Sequence, residues 1–529
     1  MIWDAYDRKT LFITGSTGFL ASGLLLRLLS RSSPARVFVL IRGGKAGAQT
    51  KWTKLLGAAH ASLLIKDPRI VILDGDMQAI DLGLSKSDLD DIRQSVHYVV
   101  HAASSIHLRM KLRDLSYSVV APSVFLARLA FSSPSLERFV FISTAYSNSH
   151  LWALPGAKDD VDVEETIYSL KQGEDPLLSA TTAWRDIQQT GTTAEYGNGI
   201  FPWGYGYAKH LTERLLHFYA AKAGVSDKLL VVRPSVIGPA ERFPYPGFST
   251  ASSTPTTSCA TAFILHPSKN MLFASRLADP SRQSTIDEVP VDVVVDRILA
   301  HTAAGTSGIV HAVAGAKSRI TIAEWAQANN RERRLPWKVN VRWVSDDWNS
   351  RKVSQLARIF KIIGASYNFA EEKTVQLAQT LTADELVDLS LFMDKPTQYS
   401  LANRRDQIRE IGAEFAKRKG WPSGLVNVLL RPQKVSQAQL AATLGVEQLT
   451  AVLVDEDDGR RGSAVDSVTP VGSSIHHDSS EAATPVESEG MSPVLEKGSF
   501  FLSTTPANLV TALPKLAHSQ APPTAIISV

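Results

Sequence analysis

The 529-residue chain has one cysteine, Cys259. A single thiol excludes a disulfide framework and every multi-cysteine zinc site, and it points to a reducing, intracellular setting. Long apolar runs are also missing. The nearest, Ser118–Phe131, carries Pro122 and Arg128 and is too short to cross a bilayer. Met1-Ile-Trp-Asp4 has no charged segment followed by an apolar one, so no secretory leader is expected. Ile527-Ser-Val529 is not a peroxisomal address, and the expected location is cytoplasmic. Net charge is small: 56 Lys and Arg against 52 Asp and Glu leave +4, too little to define a nucleic-acid partner. The 13 histidines show no paired ligand spacing, so no metal site is expected. No internal repeat is found.

What is present is ordinary globular material, 44% hydrophobic. Short β-branched runs at Leu11–Thr14, Val37–Ile41, Ile70–Leu73, Val96–His101, Arg138–Ile142, Leu229–Val232 and Gly308–Ala314 alternate with amphipathic stretches such as Phe19–Ser30 and Asp114–Phe131. That alternation predicts an α/β fold, a doubly wound parallel (Rossmann) sheet with helices on both faces. Residues 1–315 form this domain. Residues 316–436 read as a smaller, mostly helical substrate domain, with helix starts at the capping boxes Thr321-Ile-Ala-Glu324 and Thr382-Ala-Asp-Glu385 and a stop at Gly420-Trp-Pro422. Residues 437–529 read as linker and disordered tail. From 451 onward the chain has no Trp or Tyr and sets four basic against ten acidic residues, −6, which leaves +10 for the remainder.

Thr14-Gly-Ser-Thr-Gly-Phe-Leu-Ala21 follows the first strand and opens a helix. Gly15 permits a tight turn, Gly18 a close backbone approach, and Ala21 helix–strand packing. The helix N-terminus then offers free N–H groups to a pyrophosphate. After the second strand, where an NAD enzyme places an acid for the ribose, stands Arg42, which suits a 2′-phosphate. Asp76 ends the third strand, where an acid can touch the adenine. Ala102 and Ala103 follow His101 at the end of the fourth, small residues where a cofactor must pass; His101 itself reads as a packed strand-end residue.

Tyr205-Gly-Tyr-Ala-Lys209 precedes a helical run, and residues four apart share a face. A lysine ammonium there draws a tyrosine toward the phenolate and into acid–base range. Tyr207 lies on another face. Ser143-Thr-Ala145 ends the fifth strand, where a hydroxyl can hold a carbonyl oxygen; Thr144 is the first choice and Ser143 the second. Ser147–Pro202 is long for a connection and, with Phe201, Trp203 and Pro244–Gly247, reads as a pocket-shaping segment, the alternative being an insertion of no consequence.

In that order, TGxxGxxA, STA, YxxxK and Arg233-Pro-Ser235 resemble an extended short-chain dehydrogenase/reductase. Phe38-Val-Leu-Ile-Arg42, His101-Ala-Ala-Ser-Ser105, Val163-Glu-Glu-Thr-Ile-Tyr168, Val232-Arg-Pro-Ser-Val-Ile237, Pro244-Tyr-Pro-Gly247 and Val289-Pro-Val-Asp292 are similar to its fatty acyl-CoA reductase, or male-sterility, branch. The resemblance covers residue 8 to about 315. It implies NADPH held by Gly15, Ser16, Thr17, Gly18, Phe19, Arg42, Asp76, Ala102, Ala103, Lys209, Pro234 and Ser235. It also implies a catalytic set of Thr144, Tyr205 and Lys209, and an acyl-CoA or carrier-bound acyl substrate reduced to aldehyde or alcohol. Hydride on the thioester carbonyl would leave a hemithioacetal anion that expels the thiol. Two positions depart from the family: Ser118-Val-Val-Ala-Pro122 stands where an Asn-bearing motif is common, and Trp203-Gly204 replaces a polar pair. Competing readings are a reductase or epimerase acting on a sterol, nucleotide sugar or polyketide aldehyde, and an NADP-sensing regulator without turnover. Gly424–Arg431 offers a peripheral membrane contact as the alternative to packing inside the second domain.

Overall fold

The computed structural model describes residues 1–431 apart from 251–252, 346–347, 394–400, 402–403 and 423. The expected tail, 437–529, lies outside the described residues.

The chain opens as β1 (Thr10–Thr14), α1 (Phe19–Arg31), β2 (Arg36–Ile41), α2 (Gly44–Lys66), β3 (Ile70–Asp74), α3 (Lys86–Ser95), β4 (Tyr98–His101), α4 (Leu112–Leu115), α5 (Ala121–Phe131) and β5 (Arg138–Ile142). It continues with β6 (Val161–Val163), α6 (Pro176–Thr190), α7 (Ala194–Gly197), α8 (Gly204–Lys222), β7 (Leu229–Pro234), β8 (Val236–Gly238), α9 (Pro255–Ile264) and β9 (Asn270–Ala274). Then come α10 (Pro280–Gln283), β10 (Thr285–Ile286), β11 (Glu288–Pro290), α11 (Val291–Ala303) and β12 (Gly308–Ala312).

Seven of these strands form one sheet in the order β12-β7-β5-β4-β1-β2-β3, all pairs parallel. The expected doubly wound sheet is therefore present, with all seven expected strands in it. Its strands are apolar on both sides because helices cover both faces. Leu11, Ile13, Val37, Val39, Val140 and Val232 pack with α1, α2 and α11; Phe12, Phe38, Val99, Phe139, Phe141 and Val231 pack with α3, α5 and α8. The strand order reverses between β1 and β4, so a crevice opens at their C-terminal ends, Thr14 and His101.

One helical run is longer than its sequence implies. Leu112–Phe131 is continuous over 20 residues and reaches the length and apolarity of a membrane span, the one such helix among the described residues. A π-turn at Ser116–Val120 joins α4 to α5, and Pro122, which lacks an N–H to donate, follows directly on this irregular turn. Buried Leu112, Leu115, Val119 and Val120 pack here with Ala208, Leu211 and Leu215 of α8, which accounts for the apolarity.

The region after 315 contains strands as well as helices: β13 (Ile320–Thr321), α12 (Ile322–Glu332), β14 (Asn340–Val344), α13 (Gln355–Ile359), β15 (Tyr367–Phe369), α14 (Glu372–Thr380), α15 (Ala383–Asp388), α16 (Arg405–Lys419) and α17 (Leu425–Leu429). β14 runs parallel to β9 and β15 parallel to β6, while β13 pairs antiparallel with β10. These additions knit the segment to elements of the preceding 315 residues. Both capping boxes form, with Glu324 and Glu385 accepting back from Thr321 and Thr382, and Gly420 ends α16 in the left-handed conformation.

Candidate active site

The glycine loop joins β1 to α1 at the crevice. Gly15 has φ +74°, and a Cβ there would lie 2.7 Å from the Ala103 nitrogen. Two strand ends thus meet so closely that no side chain fits. Ala103 N–H donates to Thr14 Oγ1 at 3.2 Å, and Thr14 Oγ1 and His101 Nδ1 lie 2.7 Å apart. His101 Nε2 is 2.9 Å from Ser123 Oγ. Its imidazole is pushed down to about 3 by burial, so His101 is a neutral packing residue, as its strand-end position leads one to expect.

Gly18 caps α1 without a side-chain acceptor, leaving the first-turn N–H groups open. Ser16 is buried with its hydroxyl unpartnered, while its carbonyl is held by Trp52 Nε1 at 2.9 Å and Ser22 Oγ at 2.8 Å. A rigid turn, an exposed glycine, open N–H groups and an orphaned hydroxyl fit a dinucleotide diphosphate. Thr17 lies half-buried and Phe19 buried beside it. Phe19 packs on Phe248, and Tyr245 packs on Phe248 and His60. The Pro244–Gly247 turn therefore sits on the glycine-loop side, where sequence reading had it shaping the substrate pocket. Asp292 holds its approach by accepting the N–H groups of Glu241, Arg242 and Phe243.

At the end of β2 the Arg42 guanidinium is exposed and 3.8 Å from Asp76. Asp74 accepts the Gly43 N–H at 2.8 Å, so this acid shapes the turn. Arg42 and Asp76 are thus brought together at one rim of the crevice.

The other rim is built by β5, β7 and α8. Thr144 caps the turn after β5, its Oγ1 accepting the Tyr146 N–H at 3.3 Å. Ser143 instead donates its hydroxyl to Glu213. That engagement separates the two: among the described residues the Thr144 hydroxyl donates to no acceptor, and the Ser143 hydroxyl donates to Glu213. Tyr207 donates to Glu195 at 2.8 Å, and Arg214 clamps the same carboxylate at 2.6 Å, which fixes Tyr207 in the interior. The Tyr205 hydroxyl has no hydrogen-bond partner among the described residues, and burial pushes its phenol above the usual range.

Lys209 is buried, its ammonium donating to the Ile142 carbonyl at 2.7 Å and lying 4.6 Å over the Phe141 ring. Burial pulls it down to about 7, with the Glu213 carboxylate opposing. The structure therefore ties Lys209 to the end of β5, two residues from Thr144. The expected link from its ammonium to the Tyr205 phenol is not among the bonds formed.

Sequence reading missed Glu213. It lies one helical turn past Lys209, and its carboxylate takes Arg233 Nε at 3.1 Å and Nη2 at 2.6 Å besides the Ser143 hydroxyl. Arg233 also donates to the carbonyls of Glu164 and Thr166. One buried carboxylate thus joins α8, the end of β5, the end of β7 and the long segment after β5. The signal was available as the continuation of YxxxK to YxxxKxxxE on one helix face. Pro234 and Ser235 follow Arg233; the Ser235 N–H donates to the Ala312 carbonyl at 3.2 Å. The long Ser147–Pro202 segment is itself structured, with β6, α6 and α7, and α6 packs on α8.

Sheet order, crevice and glycine loop define a doubly wound dinucleotide-binding protein of the extended short-chain dehydrogenase/reductase type. A family model described as "Male sterility protein" matches residues 13–298. The chain belongs to that family, the fatty acyl-CoA reductase branch of this class. It is 28% identical to fatty acyl-CoA reductase 1 of Xenopus laevis over 313 residues, 58% of this chain and 56% of that protein. It is likewise 28% identical to the human fatty acyl-CoA reductase 1 over 312 residues, with the same coverage. The chain thus matches little more than half the length of these relatives. Among solved structures, the terminal R domain of the myxalamid PKS-NRPS biosynthetic pathway superposes with a TM-score of 0.50 at 15% identity, covering 79% of this chain and 92% of that domain. This likeness is one of fold.

Proposed function

We propose that the chain is an NADPH-dependent reductase of acyl thioesters, with fatty acyl-CoA or a carrier-bound acyl group as substrate and an aldehyde or alcohol as product. The observation that carries this reading is the free hydroxyl of Thr144 at the end of β5, on the same rim as Tyr205 and across the crevice from the glycine loop. Gly15, Ser16, Thr17, Gly18 and Phe19 would hold the diphosphate, Ala102 and Ala103 the close passage, and Pro234 and Ser235 the far end. Arg42, standing where an acid would serve NAD, favours the phosphorylated dinucleotide, with Asp76 orienting its guanidinium. The bound nicotinamide supplies the hydride.

Thr144 donates to the substrate oxygen and stabilises the charge that develops there. Tyr205, kept protonated by burial, is a proton donor throughout the neutral range, which suits reduction of a carbonyl. Lys209, pulled down to about 7 by burial, can take or give a proton at Nζ near neutrality and fixes the end of β5 beside Thr144. Residues after 315 form the substrate-facing part. The test is oxidation of NADPH with decanoyl-CoA. Tyr205→Phe is expected to lower kcat by about 10²–10⁴-fold with NADPH affinity retained. Full turnover in the variant would refute the assignment.

A further inference from the structure

The joint between β10 and β11 supplies one buried residue that the reading above does not use. Asp287 reaches the ends of β5, β7 and β12, three neighbouring strands of the sheet. Its Oδ1 accepts the Ala314 N–H at 2.8 Å, two residues past β12. Its carbonyl accepts the Val236 N–H at 3.1 Å, where β7 gives way to β8. Its own N–H reaches the hydroxyl of Tyr146, the second residue after Thr144. Two polar atoms are left over. Asp287 Oδ2 is buried and makes no aligned hydrogen bond among the described residues, and the same holds for the hydroxyl of neighbouring Ser235. An acid kept only to brace a loop would have both oxygens engaged. Few charged or titratable groups face this carboxyl. Arg319 favours its anion but is itself held by both oxygens of Asp160, at 2.7 and 3.0 Å. Glu371 opposes the anion and is held by Arg297 at 2.6 Å. Burial keeps the Tyr146 phenol protonated. Burial also outweighs these charges at Asp287 and pushes its carboxyl up to about 6.

We infer that Asp287 is a positioning residue of the substrate rim: its carboxylate draws the Ser235 hydroxyl to Oδ2, and its three other bonds keep the Thr144 turn in register with the ends of β7 and β12. The inference rests on the reductase reading for the part that Thr144 plays. The Ser235 hydroxyl turns freely about its Cβ–O bond, and an ionised acceptor makes such a bond roughly twice as strong. Protonation turns Oδ2 from an acceptor into a donor and reverses that bond, so the arrangement belongs to the ionised form. Ser235 directly follows Pro234, so its hydroxyl sets the exit of β7, on the rim across from the glycine loop. Asp287→Asn places an N–H donor where the acid would carry its proton, and so fixes the protonated arrangement at every pH. Asp287 acts through Tyr146 and Ser235 and gives no proton to the reaction.

The test follows kcat with NADPH and decanoyl-CoA from about pH 5 to about pH 8. The unaltered protein is expected to gain about tenfold across a midpoint near 6, the worth of one hydrogen bond to a charged group. Asp287→Asn is expected to lack that limb and to stay at the acid level, while a limb near 7 belonging to Lys209 remains. No limb near 6 in the unaltered protein, or one that survives in Asp287→Asn, overturns the inference. Amide exchange, read by mass spectrometry on the NADP-loaded full chain, needs no turnover. Asp287→Ala is expected to speed exchange about tenfold both around Ala314 and around Thr144–Tyr146, and to leave the glycine loop unchanged. Faster exchange around Ala314 alone overturns the inference. Should Asp287→Ala fail to fold, Asp287→Thr, closer in volume, takes its place. Absence of turnover in the unaltered protein refutes the reductase reading and leaves exchange to decide the place of Asp287.

Discussion

Glu213 and Arg233 are both fully buried and form a bidentate pair under the rim that carries Thr144. Removing either charge strands the other in the interior. Glu213→Gln leaves a buried guanidinium holding the Glu164 and Thr166 carbonyls and the Asn148 side-chain oxygen, and Arg233→Met leaves a carboxylate holding the Ser143 hydroxyl. Each single variant is expected to lose about 3–5 kcal/mol of stability. The double variant removes both charges together. What remains lost is hydrogen bonding to Ser143, to Asn148 and to two carbonyls, about 1–3 kcal/mol for each group left unpaired. Independent sites would sum to about 6–10 kcal/mol, and the double variant should be more stable than that sum by about 0.5–3 kcal/mol, the coupling range of groups in direct contact. Urea unfolding followed by the fluorescence of the ten tryptophans reads all four proteins. Additive losses would refute the argument that the two charges exist for each other. Glu213 is a positioning residue in the proposed reaction, acting through Ser143 and the end of β5. Ser143→Ala should therefore reproduce part of any fall in kcat that Glu213→Gln shows, with little of its stability loss.

Gly15→Ala meets both a positive φ and the Ala103 nitrogen at 2.7 Å. NADPH affinity, read by fluorescence titration, should fall tenfold or more, and an unchanged affinity would refute the close approach of β1 and β4 as a cofactor feature. Arg42→Ala removes a charge-assisted bond worth about 1.5–3 kcal/mol. The KM ratio of NADH to NADPH should narrow by about ten- to a hundredfold, and an unaltered ratio would refute the assignment of Arg42 to the 2′-phosphate. Lys209 is held at about 7 by burial against 10.5 as its ordinary value. Between those values the unfolded chain binds a proton that the folded chain does not, so this group's contribution to stability rises with pH across that window and is least favourable below it. The difference in urea midpoint between the unaltered protein and Lys209→Met should shift in favour of the unaltered protein from about pH 6 to about pH 9; a constant difference would show that Lys209 does not titrate in this range.

The sheet was legible because buried parallel strands must be apolar on both faces, and Leu11–Thr14 or Arg138–Ile142 carries that signature without reference to anything distant. The glycine loop was legible for a similar local reason: a turn, a close approach and a helix start fall within eight residues. Thr144, Tyr205 and Lys209 could be named from spacing, but their relations could not. That Ser143 is occupied by Glu213, and Lys209 by the Ile142 carbonyl, depends on which charge the interior pairs with which, over separations of 70 and 67 residues.

The strands after 315 failed to announce themselves for a related reason. Asn340–Val344 is only half-buried and pairs with Asn270–Ala274 alone, and Tyr367–Phe369 pairs with Val161–Val163 alone. A two-stranded parallel pair draws its stability from the surface it lies on, so propensity within three to five residues carries little of it. Yet Tyr367 and Phe369 brace the Tyr146 ring, and Tyr367 donates to the Ser149 carbonyl at 3.0 Å. A strand weak in its own sequence thus holds the turn that carries Thr144. It follows that changes in the 360–369 segment should reach the proposed reaction through Tyr146 and the Thr144 turn while the glycine loop and the Arg42 rim, which the segment does not brace, stay as they are. Tyr367→Ala is accordingly expected to lower kcat with acyl substrates and to leave the affinity for NADPH intact, and loss of both together would show that the two rims of the crevice are not mechanically separate.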